Sequence, residues 1–388
     1  MYGISTTNQH QVKIGIEAQR IFRHHKHGMD FVALEMIRSL QKIDHENEYV
    51  IFVNDGPDVC LEETGNFRIV RFSGSYPVWE QIKLPKAAKE HGCDMLHCTS
   101  NTAPINCPVP LVVTIHDIIY FETNPLTAKG YSVYQRFGNM YRRFVVKRNL
   151  REAKKIITVS HFERKRFEDF LDLPDGLLSV VYNGVGAHFK PEESEEVLAE
   201  IKQKYQLPSQ YFLFLGNTDP KKNTSNTIIA FAQYCEEVSS DYSLVVADLD
   251  PGKIKKLLID EGLGQHFNKI HFTGYIANND LPAVIQLAKV FLYPSKRESF
   301  GIPILEAMGT GTPVITSNAA SMPEVSGESA VLVNPLKAIE IKDALQKLVF
   351  DEELRNELSR KGIIRAAQFS WENTAREVLT IYKGLLKT

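Results

Sequence analysis

Short apolar runs alternate with longer amphipathic segments along the whole 388-residue sequence. Apolar runs of roughly four to eight residues are typical of buried strands, and amphipathic segments of roughly ten or more are typical of helices. The alternation therefore predicts an α/β fold in which doubly wound parallel sheets are covered by helices. Because the chain is too long for one ordinary domain, we expect two domains, each with its own core.

The predicted elements form two series joined by a linker. In the first domain, residues 1–190, strands are predicted at Val12–Glu17, Tyr49–Asn54, Met95–Cys98, Leu111–His116, Lys155–Ser160 and Ser179–Tyr182, and helices at Gly28–Lys42, Val78–His91, Thr127–Arg151 and His161–Leu171. In the second domain, residues 191–370, strands are predicted at Tyr211–Gly216, Tyr242–Asp248, Lys269–Gly274, Val290–Pro294, Thr312–Thr316 and Ala330–Val333, and helices at Thr224–Glu236, Gly252–Glu261, Asp280–Ala288 and Ile302–Met308. The segment Asn183–Glu196 is predicted to be the linker, because it holds an Asn-Gly pair, a proline and an acidic run.

The charge distribution limits the partners to expect. A net charge of -2 argues against a nucleic-acid-binding protein. The cations are concentrated, however, since eleven Lys or Arg and two Glu lie between Arg136 and Arg166. This segment predicts an anionic partner, with an anionic membrane surface as one hypothesis, although a solvated helix face over a buried apolar stripe gives the same pattern.

The cysteines and the lack of apolar segments indicate the compartment. Five cysteines are an odd number, and their spacings match no zinc pattern: Cys60, Cys93, Cys98, Cys107 and Cys235. We expect free thiols in a reducing cytoplasm. The N-terminus has no apolar signal segment, and no run approaches the roughly 18 apolar residues of a membrane span. The sequence therefore predicts a cytoplasmic protein, with membrane association as a secondary hypothesis.

Two carboxylates eight residues apart flank a helix start in the segment Glu298-Ser-Phe-Gly-Ile-Pro-Ile-Leu-Glu306. Pro303 suits the first turn of a helix, where its missing N–H costs nothing. The backbone donors of residues 299–301 would then point outward at a helix start, which favours anions. The segment thus predicts a phosphate at the helix start and sugar hydroxyls on Glu306, although acids are also ordinary first-turn residues that only complement the helix dipole.

Lysines follow the first predicted strand of the second domain. Lys221 and Lys222 lie in a Gly/Pro turn, residues 215–223, directly before a helix. Because wound sheets bind ligands at the carboxyl ends of their strands, lysines there would meet a diphosphate at short range. Solvated charges beside a helix would give the same pattern.

Histidines follow two strands of the first domain. His116, with Asp117 after it, is suited to proton transfer near neutral pH or to a hydrogen bond with a hydroxyl. A histidine at a strand end whose hydrogen bonds are made within the protein explains this pair equally well.

A second group of histidines precedes Gly28. His24, His25 and His27 lack the i, i+4 spacing of a zinc pair and have no attached ligand motif. We therefore expect no metal and favour a cationic loop that meets phosphate or an anionic acceptor.

Together these segments resemble the retaining glycosyltransferases of family 4, which have the architecture of two Rossmann-like domains called GT-B. The resemblance spans nearly the whole chain. It is carried by Lys13–Arg20, His116–Asp117, Thr158–His161, Asn183–Val185, Glu298–Glu306, Ala307–Pro313 and Pro323–Val325. It is strongest at Glu298–Glu306, because the internal Phe-Gly-x-Pro and the following Gly-x-Pro also fit.

The resemblance implies a reaction and a division of labour. A hexose or deoxyhexose would pass from a nucleotide diphosphate sugar, with a preference for GDP-mannose, to a hydroxyl of a glycan or lipid-linked acceptor, with retention and without a metal or other cofactor. An acceptor-binding domain and a nucleotide-sugar-binding domain would face a central cleft. The C-terminal helix, residues 371–388, would cross back to the first domain.

The same resemblance implies roles for individual residues. Glu306 would bind the ribose hydroxyls, Glu298 would lie by the transferred sugar, and Lys222 would neutralise the leaving diphosphate. His116 would lie near the sugar. Further contacts to sugar or phosphate would come from Ser299, Phe300, Gly301, Lys221, Asn217, Gly216 and Gly28.

Two positions depart from the family pattern. Gly216-Asn217 stand where many members have Gly-Arg, so one cation for the diphosphate is absent unless Lys221 replaces it. The glycine-rich first loop is reduced to Gly28. Three alternatives therefore stay open: a sugar-nucleotide epimerase of the same shape, a catalytically silent nucleotide-sugar-binding subunit, and a two-lobed solute-binding protein, which would need export.

Overall fold

The computed structural model describes residues 11–122, 133–192, 194–238 and 241–386. It divides into two compact units, one of Met1–Tyr182 with Trp371–Thr388 and the other of Asn183–Ser370. No helix in the described ranges is long and apolar enough to cross a membrane.

The first unit is a seven-stranded sheet in which all described pairings are parallel, in the order β3-β2-β1-β4-β5-β6-β7. Its strands are β1 Lys13–Glu17, β2 Glu48–Val53, β3 Phe67–Arg71, β4 Met95–Cys98, β5 Leu111–Thr114, β6 Lys155–Thr158 and β7 Leu178–Val180. Its helices are α1 Gly28–Ile43, α2 Tyr76–Val78, a π-helical turn Trp79–Lys83, α3 Leu84–Glu90, α4 Ile119–Glu122, α5 Val133–Glu152 and α6 His161–Phe170. The strand order reverses between β1 and β4, so the carboxyl ends of these strands flank the switch point where wound sheets bind ligands.

The second unit repeats this plan with six strands in the order β10-β9-β8-β11-β12-β13. Its strands are β8 Tyr211–Phe214, β9 Ser243–Ala247, β10 Ile270–Gly274, β11 Val290–Tyr293, β12 Val314–Ser317 and β13 Ala330–Val333. Its helices are α7 Glu195–Lys204, α8 Thr224–Glu237, α9 Pro251–Asp260, α10 Leu281–Gln286, α11 Ile302–Gly309, α12 Met322–Ser326, α13 Ala338–Phe350 and α14 Glu352–Ala366, with 3₁₀ turns at Pro220–Lys222 and Gly264–Lys269. Here the order reverses between β8 and β11.

The last helix, α15 Trp371–Leu386, packs in the first unit. Val378 and Tyr382 join the core that α1 forms with the sheet. The Tyr382 hydroxyl lies 2.6 Å from Nδ1 of His97, and Nε2 of that ring lies 2.8 Å from the Thr114 hydroxyl. Burial lowers the pKa of His97 to about 3, so this histidine is a neutral core residue that anchors the helix.

The boundary between the units lies at Asn183 rather than at the predicted position after residue 190. The Val185 N–H donates to the Phe369 carbonyl at 3.0 Å, which ties the start of the predicted linker to the second unit. The end of that linker is also structured, because α7 begins at Glu195 and the Ser194 hydroxyl caps it. Segment 183–190 is therefore part of the second unit.

The predicted strands are all present, with ends that differ by at most two residues. The prediction missed β3, α4, α7 and the helices α12 to α14. The predicted helix Thr127–Arg151 corresponds to α5, and its first six residues lie outside the described ranges. The predicted helix Val78–His91 is divided by the π-helical turn, in which the Leu84 N–H bonds to the Trp79 carbonyl.

Candidate active site

The turn before α11 is built around Gly301, which has φ +106° and ψ +50°. This left-handed conformation strains any other residue, so glycine is required. Pro303 lies in the first helical turn, as predicted, and Phe300 is buried. The Ser321 hydroxyl lies 3.0 Å from the Glu298 carbonyl and 2.8 Å from the Phe300 carbonyl, so the turn is fixed from inside the protein. The start of α11 is thus held in a conformation that favours an anion.

The side chains of Lys222 and Glu298 are in direct contact. Lys222 Nζ lies 2.8 Å from Glu298 Oε1 and 2.8 Å from the hydroxyl of Tyr293. Only 18% of the lysine side chain and 12% of the glutamate side chain are exposed. A pair so shielded from water is screened little by salt. The structure therefore joins the two groups that the resemblance assigns to the diphosphate and to the sugar.

The β8–α8 loop that carries Lys222 is bonded to the β11–α11 loop. The Lys296 N–H donates to the Lys221 carbonyl at 2.7 Å. Asn223, in the left-handed region with φ +61°, donates through its side-chain amide to the carbonyls of Pro294 at 2.9 Å and Pro335 at 2.6 Å. These bonds explain why two loops far apart in the sequence present their charged groups at one place.

Gly216 and Asn217 open the β8–α8 loop. A side chain on Gly216 would come within 2.2 Å of the Phe214 ring, so glycine is needed for packing. Asn217 is exposed, and its side-chain oxygen accepts the Asp219 N–H at 2.9 Å. Lys221 is half-exposed, with its ammonium 3.6 Å from an Asp219 carboxylate oxygen. Lys222 is consequently the better-shielded cation of the loop, and Lys221 is the more exposed one.

Glu306 lies in α11, beyond the first turn, and is partly buried. Burial raises the pKa of its carboxyl to about 7. In the part of the chain that the structure describes, no hydrogen bond or ion pair to this carboxyl is found. A carboxylate with raised pKa and no donor is suited to accept hydrogen bonds from ligand hydroxyls.

His116 lies at the carboxyl end of β5 in the first unit and is 5% exposed. Its backbone N–H donates to the Asn101 side chain at 2.7 Å, and Nε2 lies 3.0 Å from the Thr99 carbonyl. Because a carbonyl only accepts, Nε2 carries the proton. Burial lowers the pKa of His116, so the ring is neutral at pH 7 and Nδ1 is an acceptor.

The β1–α1 loop before Gly28 is less cationic than its sequence suggests. Arg23 and Arg20 both face the buried Asp30 carboxylate, at 2.5 Å and 3.4 Å, and Lys26 pairs with Asp58. Gly28 begins α1, and a Cβ added to it would meet no atom within 4 Å. Over the described ranges, no three His, Cys, Asp or Glu side chains are grouped to hold a metal ion. The loop therefore offers few unpaired cations to an anionic acceptor.

Tyr293 is the site residue that the sequence prediction missed. It is the last residue of β11 and is 2% exposed. Its position directly after a run of apolar residues is typical of a core aromatic, and only the hydroxyl distinguishes it. The sequence did contain one signal for its role, because Tyr293 lies at the carboxyl end of a predicted strand, shortly before the motif Glu298–Glu306.

Two Rossmann-like units with the charged groups at the switch point of the second sheet define the GT-B class of folds. Residues 197–365 match the family described as glycosyl transferases group 1, and residues 27–188 match the one described as Glycosyltransferase Family 4. The chain belongs to the family 4 glycosyltransferases, as the sequence resemblance predicted.

Similar proteins include mannosyltransferases. O-antigen chain mannosyltransferase B of Escherichia coli is 31% identical over 277 residues, which are 71% of this chain and 70% of that protein. The serotype-specific mannosyltransferase WbdA of Escherichia coli is 29% identical over 298 residues, which are 75% of this chain but 36% of that protein. The chain thus spans well under half the length of WbdA.

Solved structures confirm the fold. A sucrose-phosphate synthase from Thermosynechococcus elongatus superposes with a TM-score of 0.75 over 97% of this chain and 100% of that one, at 21% identity. HepE of Anabaena, in a complex with UDP and glucose, gives 0.73 over 96% of this chain and 100% of that one, at 17% identity.

Proposed function

We propose that the chain is a retaining hexosyltransferase of polysaccharide biosynthesis. It moves a sugar, with mannose preferred, from a nucleotide diphosphate sugar to a hydroxyl of a glycan or lipid-linked acceptor. The contact of Lys222 with Glu298 carries the proposal, because a cation suited to a diphosphate and a carboxylate suited to sugar hydroxyls lie 2.8 Å apart beside a helix start. The preference for mannose is supported by the similarity to mannosyltransferase B and WbdA, and GDP-mannose as donor is the preference that the sequence resemblance implies.

The chemistry follows from these groups. The acceptor oxygen bonds to the anomeric carbon while the bond from that carbon to the phosphate oxygen breaks, and its electron pair stays on the diphosphate. The departing phosphate takes the acceptor proton. Lys222, with Lys221 and the amides at the start of α11, stabilises the negative charge that develops, so no metal is required. In the first unit, Nδ1 of the neutral His116 is suited to accept a hydrogen bond from a hydroxyl.

A thermal-shift panel tests the donor. We expect GDP-mannose to raise the melting temperature more than UDP-sugars or dTDP-sugars, because a ligand at 100 times its dissociation constant adds about 2.7 kcal/mol of stability. The shift should be the same with and without EDTA, since lysines replace a metal. Loss of the shift in EDTA would contradict the metal-free site, and no shift with any nucleotide sugar would contradict the proposal.

An activity assay separates transfer from its alternatives. With the binding donor and octyl α-D-mannoside as a model acceptor, we expect a new α-linked disaccharide by mass spectrometry and NMR. Isomerised donor without acceptor would indicate an epimerase. Binding with neither transfer nor hydrolysis would favour a silent subunit, the alternative that the exposed Asn217 supports because it supplies no cation where many members of the family have arginine.

The exposed face of α5 supports the membrane hypothesis. Phe137, Met140 and Phe144 are exposed at helical spacing, and the same face continues into Lys147 and Arg148, which are also exposed. Large apolar residues beside cations on one helix face are suited to an anionic bilayer. We therefore propose that α5 rests on such a surface.

Vesicle sedimentation tests this contact. Replacing both Phe137 and Phe144 with serine should weaken binding to phosphatidylglycerol-containing vesicles by about tenfold or more, because each buried phenylalanine contributes strongly to partitioning. Phe350→Ser is the control, since Phe350 is 68% exposed but lies in the second unit. Equal binding by the double variant and the wild type would rule out α5 as the contact.

A further inference from the structure

Tyr293 is fixed at the end of β11 by contacts on its backbone and its ring. Its carbonyl accepts a hydrogen bond from the Thr316 hydroxyl on the neighbouring strand β12, at 2.9 Å. A Cβ on Gly301 would lie 3.9 Å from Cε1 of the tyrosine ring, so the glycine turn passes directly beside the ring. Since the residue is 2% exposed, its hydroxyl has little freedom to move.

That hydroxyl lies between the two charged groups of the site. It accepts a hydrogen bond from Lys222 Nζ at 2.8 Å, and the same Nζ lies 2.8 Å from Glu298 Oε1, so the hydroxyl and the carboxylate share one ammonium. Burial, with the Glu298 charge adding to it, raises the pKa of Tyr293 far above its usual value, so the phenol keeps its proton. Lys222, Tyr293 and Glu298 thus form a buried cluster centred on the lysine ammonium, which contacts both of the other groups.

A diphosphate would compete with Glu298 for the Lys222 ammonium. Removing the cation from a carboxylate that is 12% exposed leaves a shielded negative charge, which is costly unless another donor remains. The Tyr293 hydroxyl is such a donor, because it keeps its proton and shares the Lys222 ammonium with the carboxylate. It therefore lowers the cost of transferring the lysine from the protein's carboxylate to the ligand.

We infer that Tyr293 is a positioning residue, whose hydroxyl holds Lys222 and Glu298 at the spacing that the diphosphate and the transferred sugar require. The inference rests on the proposed function. It applies to the sugar-bearing donor in particular, because Glu298 meets the transferred sugar, which a nucleoside diphosphate lacks. Tyr293 itself acts through its two neighbours and need not touch the reacting atoms.

Tyr293→Phe removes the hydroxyl and leaves the ring. With GDP-mannose and octyl α-D-mannoside, we expect kcat to fall about tenfold, because the interaction matters most when charge develops on the leaving group. The dissociation constant of GDP, measured by calorimetry, should rise by no more than about threefold, because Lys222 keeps its charge and no charge develops when GDP binds.

Tyr211→Phe is the matched control. Tyr211 is also a buried tyrosine on a strand of the second unit, and its hydroxyl donates to the Val284 carbonyl at 2.6 Å without contact to a charged group. The control variant should keep the wild-type kcat. A similar fall in both variants would assign the effect to lost packing or stability, and would overturn the inference.

A double-variant cycle distinguishes the inference from the proposed function. In a Lys222→Ala background, Tyr293→Phe should lower kcat clearly less than the roughly tenfold expected in the wild type, because one of the two groups that Tyr293 positions is then absent. Full additivity, or a Tyr293→Phe enzyme as active as the wild type, would overturn the role of Tyr293 and leave the proposed transferase intact. A wild-type protein that binds no nucleotide sugar would overturn both.

Discussion

Replacing Lys222 with alanine is expected to lower the turnover of the transferase at least tenfold, which corresponds to about 1.4 kcal/mol of barrier. Negative charge grows on the diphosphate as the bond to the anomeric carbon breaks. A cation stabilises that charge most where water is excluded, and 18% of this lysine side chain is exposed. The measurement is the steady-state kcat with GDP-mannose and octyl α-D-mannoside.

The control for this variant is another lysine whose carboxylate partner is close. Lys361 pairs with Glu357 at 2.6 Å on α14, but 45% of its side chain is exposed, so Lys361→Ala should leave kcat unchanged. The kcat of Lys221→Ala should lie between those of the Lys222 and Lys361 variants, because the half-exposed ammonium of Lys221 is screened by water. A Lys222→Ala enzyme that is folded by thermal denaturation and keeps its full transfer rate would show that the lysine does not stabilise the leaving group.

A companion variant separates the charge of the lysine from its ion pair. Glu298→Gln removes the carboxylate charge and keeps Lys222. If the pair matters only for folding, both variants should lose stability and neither should lose turnover specifically. If Lys222 acts on the diphosphate, Glu298→Gln should retain the affinity for GDP while Lys222→Ala weakens it, because GDP carries the phosphates but not the transferred sugar.

The loops of the candidate site could be predicted from the sequence, because glycine and proline mark them. Gly301 and Pro303 fix the start of α11, and the turn that holds Lys222 follows an apolar strand. The contact between Lys222 and Glu298 could not be predicted. These residues are far apart in the chain, and they meet only because β8 and β11 are hydrogen-bonded neighbours at the point where strand order reverses. Local patterns specify strands but not which strands pair.

The same limit explains the loop before Gly28. Its cations predicted a surface for anionic ligands, and their sequence spacing does not reveal that Arg20 and Arg23 converge on Asp30. Asp30 lies in the first turn of α1, where an acidic residue commonly does no more than stabilise the helix dipole. Its burial and its two arginines become visible only when α1 is placed on the sheet.

The sequence prediction missed or misplaced elements whose residue pattern is not typical of a strand or a helix. Strand β3 has the sequence Phe-Arg-Ile-Val-Arg, in which cations interrupt the apolar run, and it lies at the edge of the sheet where charges discourage pairing with another chain. The helix predicted at Val78–His91 is divided because Pro85 has no N–H to donate. The π-helical turn Trp79–Lys83 lies directly before α3, whose first turn contains Pro85, and it accommodates the missing backbone hydrogen bond.

Glu306→Gln is expected to weaken nucleotide binding and to stabilise the free protein at the same time. The raised pKa of Glu306, about 7, means that the native state holds a proton more tightly than the unfolded chain, in which the pKa is 4.5. Its contribution to stability is therefore fully present below pH 4.5 and is lost as the pH rises through about 7. Glutamine carries no charge, so the variant should melt at a higher temperature than the wild type at pH of about 8, and this gain should shrink at pH of about 5.

The affinity of Glu306→Gln for GDP should fall although its melting temperature rises. Hydroxyls donate stronger hydrogen bonds to a carboxylate than to an amide, so the variant should bind GDP about tenfold more weakly at pH of about 8. The wild type should lose affinity as the pH falls below about 7, where Glu306 becomes protonated, and the variant should show no such loss. Calorimetry across this range measures both, with the exposed Glu353→Gln as the control that should follow the wild type. A Glu306→Gln protein with wild-type affinity and the same pH dependence would exclude Glu306 from the ribose site, even if its melting temperature rose as expected.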